Sequence, residues 1–307
     1  VREYRFLQVD VFTDVPFGGN PLAVFPDAED LTSEEMQKLA REMNLSETTF
    51  VLPPQAPGAD FKVRIFTPAA ELPFAGHPVV GTHWVLAHLG RIELKAPVTE
   101  VRFELGVGVL PADLEVAGGR VERVVITSGQ AQFLAMMEDV GDLAAALGTS
   151  AEAITDTGLP VQVVSTGIAT LIVPIRSLTE VQEMDPSRLN VAALGETCRP
   201  LGTETVMVFA LETERPEATV HVRMFAPSLG VPEDPATGSA NGTLGAYLVH
   251  HQVVPVSDGT NHFVSEQGAE MGRPSSLDLL VDRSGGEVTR VRVGGRVVPM
   301  VEGSVRF

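Results

Sequence analysis

Over residues 6–12, Val9 and Val11 alternate with Gln8 and Asp10, the two-residue period of a half-buried strand. A turn at Phe17-Gly18-Gly19-Asn20-Pro21 leads to a second apolar strand over 22–25. The period then changes. Met36, Leu39, Ala40 and Met43 recur at helical spacing, and Thr32 with Glu35 forms the capping box that opens such a helix. The helix is expected to end near Asn44. Residues 48–52 are β-branched and aromatic, so Glu47 stands at a helix-to-strand junction. Another strand follows at 62–66. Pro78 suits a helix start, and Gly90 stops that helix. Short strands are expected at 102–110 and 114–116.

Further along, the pattern predicts strands at 121–126, 206–211 and 220–225. A strand pair over 162–173 is split at Gly167. Helices are expected at 140–147, 178–184, 191–194 and 239–250. Ser284-Gly285-Gly286 reads as a hairpin turn, and strands at 290–293 and 296–301 close the chain.

Part of this pattern occurs twice. Val63-Arg64-Ile65-Phe66-Thr67-Pro68 returns as Val222-Arg223-Met224-Phe225-Ala226-Pro227, and a glycine-led helix start follows each copy, at Gly76-His77 and Gly238-Ser239. Leu86 and His88 match Leu248 and His250. Upstream, Glu47-Thr48 aligns with Glu204-Thr205. A spacing this long exceeds a solenoid unit and implies two related domains with a small-molecule cleft between them. The expected division is 1–118 plus about 292–307 for the first and 119–291 for the second, with the turn at Gly118-Gly119. His77 faces Ser239 in this alignment, and Asp234 falls in an insertion that the first copy lacks.

Composition narrows the classes. The 307 residues carry a formal net charge of −18, which disfavours nucleic acid and anionic membrane surfaces as partners. A single cysteine, Cys198, permits no disulfide framework within one chain and suggests the cytosol. No run approaches the length of a membrane span, and the first residues lack the apolar core of a signal peptide. No phosphate-loop or dinucleotide fingerprint occurs, and no histidine spacing suits a metal, so neither cofactor nor metal is expected.

The two helix starts carry the chemistry. A helix N-terminus presents unpaired amides and a positive dipole end, a socket for a carboxylate or oxyanion. Gly76 and Gly238 would let a ligand approach that backbone, or would merely permit tight turns. His77 sits where the dipole favours neutral imidazole. Asp234 is a candidate acid or a turn residue. Ser239 resembles an N-cap, with no nucleophile elbow around it. Glu47 is the sharpest candidate. Partial burial would suit it to shuttling a proton, and a plain surface glutamate is the alternative. His250-His251 reads as a solvated helix end.

These residues also fall in motifs. The stretch from Leu39 to Val51, Glu71-Leu72-Pro73-Phe74-Ala75-Gly76-His77-Pro78, and Glu233-Asp234-Pro235-Ala236-Thr237-Gly238-Ser239-Ala240 resemble the three signatures of the phenazine-biosynthesis isomerase (PhzF-like) family. Gly19-Asn20-Pro21 and the run from Gln267 to Ser275 are similar to it as well. The resemblance implies an α+β, diaminopimelate-epimerase-like fold. Two pseudo-symmetric domains would each be a curled, mostly antiparallel sheet around a central helix. It implies a cofactor-independent homodimer that moves a proton within trans-2,3-dihydro-3-hydroxyanthranilate or a similar small carboxylate. Glu47 would be the acid/base, helped by His77, Asp234 and Ser239. Gly76, Gly238, Thr237, Ser46 and Asn20 would bind substrate. Related racemases place a cysteine at each helix start, and here neither start has one. An amino-acid epimerase and a non-catalytic binding or interaction protein of the same fold are the other readings.

Overall fold

In the computed structural model, which describes residues 1–307, the chain is a mixed α+β fold rich in strands. It forms two compact units, residues 1–127 with 294–307, and residues 128–293. The Gly118-Gly119 turn is a hairpin inside the first unit, and the chain passes to the second at Ser128.

In the first unit, β1 (Glu3–Val11) pairs antiparallel with β2 (Asn20–Phe25) and with the chain's last strand (Val297–Arg306). The helix α1 (Ser33–Met43) crosses over to β3 (Glu47–Leu52), which runs parallel to β2 with Leu22 opposite Glu47. Both halves of the Thr32–Glu35 capping box form, and Asn44 closes the helix in the left-handed region. β4 (Phe61–Phe66) is antiparallel to β3, and the short β5 (Glu71–Leu72) folds back on β4. The helix α2 (Gly76–His88) leads to β6 (Val98–Leu105), parallel to β4, and then to β7 (Gly108–Ala117) and β8 (Arg120–Thr127). The single strand expected at 102–110 is therefore broken at Gly106-Val107. Nearly all of α2 is buried, because it is apolar around its circumference and packs on β1, β2, β3, β7 and β8.

The second unit opens with β9 (Gln132–Met137), α3 (Gly141–Leu147) and α4 (Ala151–Thr155). β10 (Val161–Ser165) and β11 (Ala169–Pro174) form a hairpin. After α5 (Leu178–Gln182) and α6 (Val191–Cys198), β12 (Val206–Ala210) lies parallel to β11. β13 (Val220–Ala226) pairs with β12 and with β14 (Val231–Asp234). The buried α7 (Gly238–His250) leads to β15 (Gly259–Gln267), parallel to β13, and on to β16 (Ser275–Ser284). β17 (Glu287–Gly295) returns the chain to the first unit. From β10 to β16 the pairings repeat, in kind and order, those from β1 to β7. β9, α4, β14 and most of β15 carry no periodic signal strong enough to predict them.

The register corrects two readings of the repeat. Thr48 pairs with Phe66, whereas Val206 pairs with Phe225, so the structural mate of Glu47 is Thr205 and not the exposed Glu204. Ile65 pairs with Leu72 as Met224 pairs with Asp234. Asp234 therefore replaces Leu72, and the extra residues fall before it, around the 3₁₀ turn Pro227–Leu229.

Side chains repeat as well. Arg64 forks Glu71 and lies over Phe66, while Arg223 forks Glu233 and lies over Phe225. Lys62 pairs with Glu104, which accepts the amides of Gln55 and Ala56. His221 pairs with Glu266, which accepts the amides of Glu214 and Arg215. Of the helix-end histidines, His250 is exposed and stacks on Phe133, whereas half-buried His251 meets Gln162 at 2.7 Å and so is not a solvated tail. No helix is long and apolar enough to cross a membrane.

Gly81 lets α2 lie close on its sheet: an added Cβ would stand 2.6 Å from Leu22 Cδ2 and 2.7 Å from Val11 Cγ2. Alanine would gain about 1 kcal/mol of helix propensity, but overpacking a tight core costs typically about 1–3 kcal/mol. Gly81→Ala is expected to lower the denaturation midpoint, measured by urea titration followed by circular dichroism. A raised midpoint would contradict the packing described.

Candidate active site

Glu47 begins β3 immediately after the turn that ends α1, which fixes its backbone beside Leu22 of β2. Its side chain is 16% exposed, enough to reach solvent or a ligand. His77, in the first turn of α2, brings Nε2 to 3.2 Å from Glu47 Oε2. The two atoms face each other without a well-formed hydrogen bond. Burial pushes the His77 imidazole down to about 3, so the ring is neutral near pH 7. A neutral ring can donate one hydrogen bond and accept another. It can thus orient a carboxyl group without competing for its proton. No side chain caps α2, since Ala75 occupies the N-cap. The first turn at Gly76 keeps its positive end.

Asn20 is buried at the start of β2, opposite Val11 and at the same strand end as Glu47. Ser46 is exposed in the turn just before Glu47. The structure thus gathers Glu47 and His77 directly and sets Asn20 and Ser46 around the same strand ends.

The second unit holds the other candidates. Asp234 ends β14, and its carboxylate accepts a hydrogen bond from Thr237 Oγ1. Thr237, not Ser239, is the N-cap of α7, because its carbonyl accepts the amide of Asn241 at 3.0 Å. Ser239 is half-buried in the first turn, next to buried Gly238. Spending its hydroxyl on Asp234, Thr237 leaves this helix too without a side-chain cap.

Two residues absent from the predicted site organise it. Gln267 Nε2 donates to the Asp234 carbonyl at 2.6 Å and to Thr237 Oγ1 at 3.2 Å. Gln267 Oε1 accepts the Thr237 amide at 3.2 Å and Asn241 Nδ2 at 2.8 Å. Asn241 is fully buried, and its Oδ1 has no donor. The signal for Gln267 was its place in the last family-like stretch. Asn241 gave none, sitting inside an apolar helix. Gly268 follows at φ +79, where an added Cβ would lie 2.5 Å from the carbonyls of Pro235 and Arg273. That close approach seats the Asp234 loop against the end of β15.

Other reactive side chains are spoken for. Burial pushes the Cys198 thiol up to about 11, so it is no nucleophile near neutrality. His83 is buried, stacks on Phe103 and meets the Val79 carbonyl at 2.8 Å, as a core histidine does. No three His, Cys, Asp or Glu side chains converge to hold a metal ion.

Comparison with known proteins gives one answer. The model of the phenazine biosynthesis-like protein family (PhzC-PhzF) matches residues 9–303. The trans-2,3-dihydro-3-hydroxyanthranilate isomerase of Pseudomonas aeruginosa is 35% identical over 305 residues, 98% of each chain. An uncharacterized isomerase of Clostridium acetobutylicum is 34% identical over 300 residues, 97% of this chain and 96% of the other. Among solved structures, the phenazine biosynthesis protein of the PhzF family from Bacillus anthracis superposes over 100% of both chains with a TM-score of 0.89 and 28% identity.

The burial of His77 has a measurable consequence. Histidine NMR is expected to show this ring keeping its neutral shifts through the ordinary histidine range, around pH 6.5, and titrating only near 3. A His77 midpoint above about 5.5 would rule out the neutral ring beside Glu47.

Proposed function

The chain belongs to the phenazine biosynthesis-like family, and from that membership we propose that it is an isomerase acting by proton transfer within a small cyclic carboxylate. The substrate class is one resembling trans-2,3-dihydro-3-hydroxyanthranilate, on which a relative is named as acting. The observation that carries the reading is the Glu47–His77 pair, 3.2 Å apart.

In this proposal the Glu47 carboxylate takes a proton from one substrate carbon. The electron pair left behind shifts the neighbouring double bond. Glu47 then returns the proton to a second carbon. Substrate and product contain the same atoms and electrons, so the reaction needs no electron carrier. Neutral His77 orients the carboxyl group. The amides opening at Gly76 and Gly238 are assigned the substrate carboxylate and the charge that develops on it. Asp234 and Ser239 are assigned to assist Glu47 and to position the substrate, and Thr237, Ser46 and Asn20 to bind it. A donor on the substrate would satisfy the buried Asn241 Oδ1. The working form is proposed to be a cytosolic homodimer. The buried thiol at Cys198 supports one glutamate as the acid/base in preference to a two-thiol racemisation.

Glutamine at position 47 preserves shape but cannot carry the proton. General acid–base catalysis contributes roughly 10²- to 10⁴-fold. Glu47→Gln is therefore expected to lose at least about 10²-fold in kcat, with unchanged folding and nearly intact carboxylate binding. Turnover is followed on trans-2,3-dihydro-3-hydroxyanthranilate and a panel of small cyclic carboxylates. In deuterated water Glu47, open to solvent, exchanges the proton it has taken, and NMR of the product is expected to find deuterium at the carbon that receives it. A Glu47→Gln protein working at the wild-type rate would remove Glu47 from the mechanism.

A further inference from the structure

Glu233 and Asp234 are neighbours on β14, and Glu266 and Gln267 are neighbours at the end of β15. Adjacent side chains in a strand point to opposite faces. Asp234 and Gln267 meet at the start of α7, as described. Glu233 and Glu266 enter a separate, buried layer of charge.

Two cations on β13 form that layer. Arg223 is 1% exposed, and its Nε and Nη2 each lie 2.8 Å from the Glu233 carboxylate. Its Nη1 donates to the carbonyls of Val181 and Met184. His221 is wholly buried, with Nδ1 2.8 Å from Glu266 and Nε2 2.7 Å from Glu270. Arg215 adds a third cation, its Nε 3.2 Å from Glu266. Three cations thus face three carboxylates.

Burying such a cluster is a poor way to gain stability, since desolvation offsets most of the attraction. What it does well is fix geometry. The first unit supplies the comparison. There Lys62 holds Glu104 in the position that His221 and Glu266 occupy, and Arg64 holds Glu71 as Arg223 holds Glu233. The first-unit pairs are more exposed. After Glu104 comes Leu105, and after Glu71 comes Leu72, neither of which has a polar side chain. Only in the second unit does each anchored glutamate precede a polar residue that meets its counterpart at a helix start. Only there does a second carboxylate, Glu270, grip the cation.

We propose that His221 and Arg223 are positioning residues, which hold Asp234 and Gln267 in register for substrate by clamping the glutamate before each. This deepens the functional reading above and rests on it for the word substrate. The coupling between clamp and Gln267 is independent of it. Burial alone would lower His221, but hydrogen bonds to Glu266 and Glu270 raise it to about 9. The same bonds help hold both glutamates below their ordinary value against the opposing effect of burial. The charged groups bearing on the ring are Glu266 and Glu270 directly, with Arg215 on Glu266 and Arg223 on Glu270. Loss of the imidazolium proton leaves two buried carboxylates without their shared cation. Glu266 then shifts, and Gln267 moves with it.

The experiment uses the full chain and Glu270→Gln, which keeps a hydrogen-bond acceptor for His221 and leaves Glu266 charged. Side-chain ¹³C NMR, without any ligand, follows the His221 ring and the Gln267 amide carbon against pH. In wild type the two signals are expected to share one midpoint, near 9. In Glu270→Gln both should move down together by about 1 pH unit or more, as befits removal of an adjacent opposite charge. On substrate, the variant is expected to raise KM about 5-fold at pH 9, where about half of the wild-type His221 but only about a tenth of the variant's keeps its proton, while kcat changes by less than about twofold. A Gln267 signal flat through the His221 titration overturns the inference, and wild type alone suffices for that test. A KM unchanged in the variant overturns it as well. Coupled signals in a protein that turns over no carboxylate would support the clamp and refute the functional reading.

Discussion

A helix that is apolar on every side has no face to give to water, so a sheet has to enclose it. That constraint governs both units. α2 and α7 are 13 residues each, and nearly every residue from the opening glycine to the last turn is buried. Strands must therefore reach around each helix, and crossovers must bring parallel pairs such as β2 with β3 and β13 with β15 into the same sheet. The start of such a helix is where backbone amides lie unpaired. There Ala75 and Thr237 leave the amides without a side-chain cap.

Within that shared plan the units diverge in a directed way. The first places a carboxylate at the start of β3 and a neutral imidazole in the first turn of α2. At the matching points the second has Thr205, whose hydroxyl bonds the Ala169 carbonyl, and Ser239. In exchange it has Asp234 where the first has Leu72, and Gln267 where the first has Leu105. One copy carries a carboxylate beside a neutral imidazole, and the other a hydrogen-bonding platform.

Much of this was legible in the residue order. The Thr32 box, the 3.6-residue spacing from Met36 to Met43 and the Pro78 helix are local signals, and local hydrogen bonding realised them. Glu47 and His77 stand out in the sequence because each sits at an element junction. The hairpin at Gly106-Val107 escaped because alternation runs through it unbroken. The repeat was visible, but its register was not. Identical letters drew Glu47 to Glu204, whereas pairing with β4 and β13 fixes the true mates one residue away. The buried charges were the least visible. Arg223 and His221 lie in a strand that reads as core, and His221 finds its partners 45 and 49 positions further along the chain. No window of sequence spans that distance.

The one cysteine has a practical side. Cys198 is 2% exposed, and burial holds its thiol far above neutrality, so maleimides and iodoacetamides have almost nothing to attack in the folded chain. For conjugation chemistry the protein is in effect a cysteine-free scaffold. A single thiol engineered on its surface can carry a fluorophore or spin label at one address, with the native residue left in place.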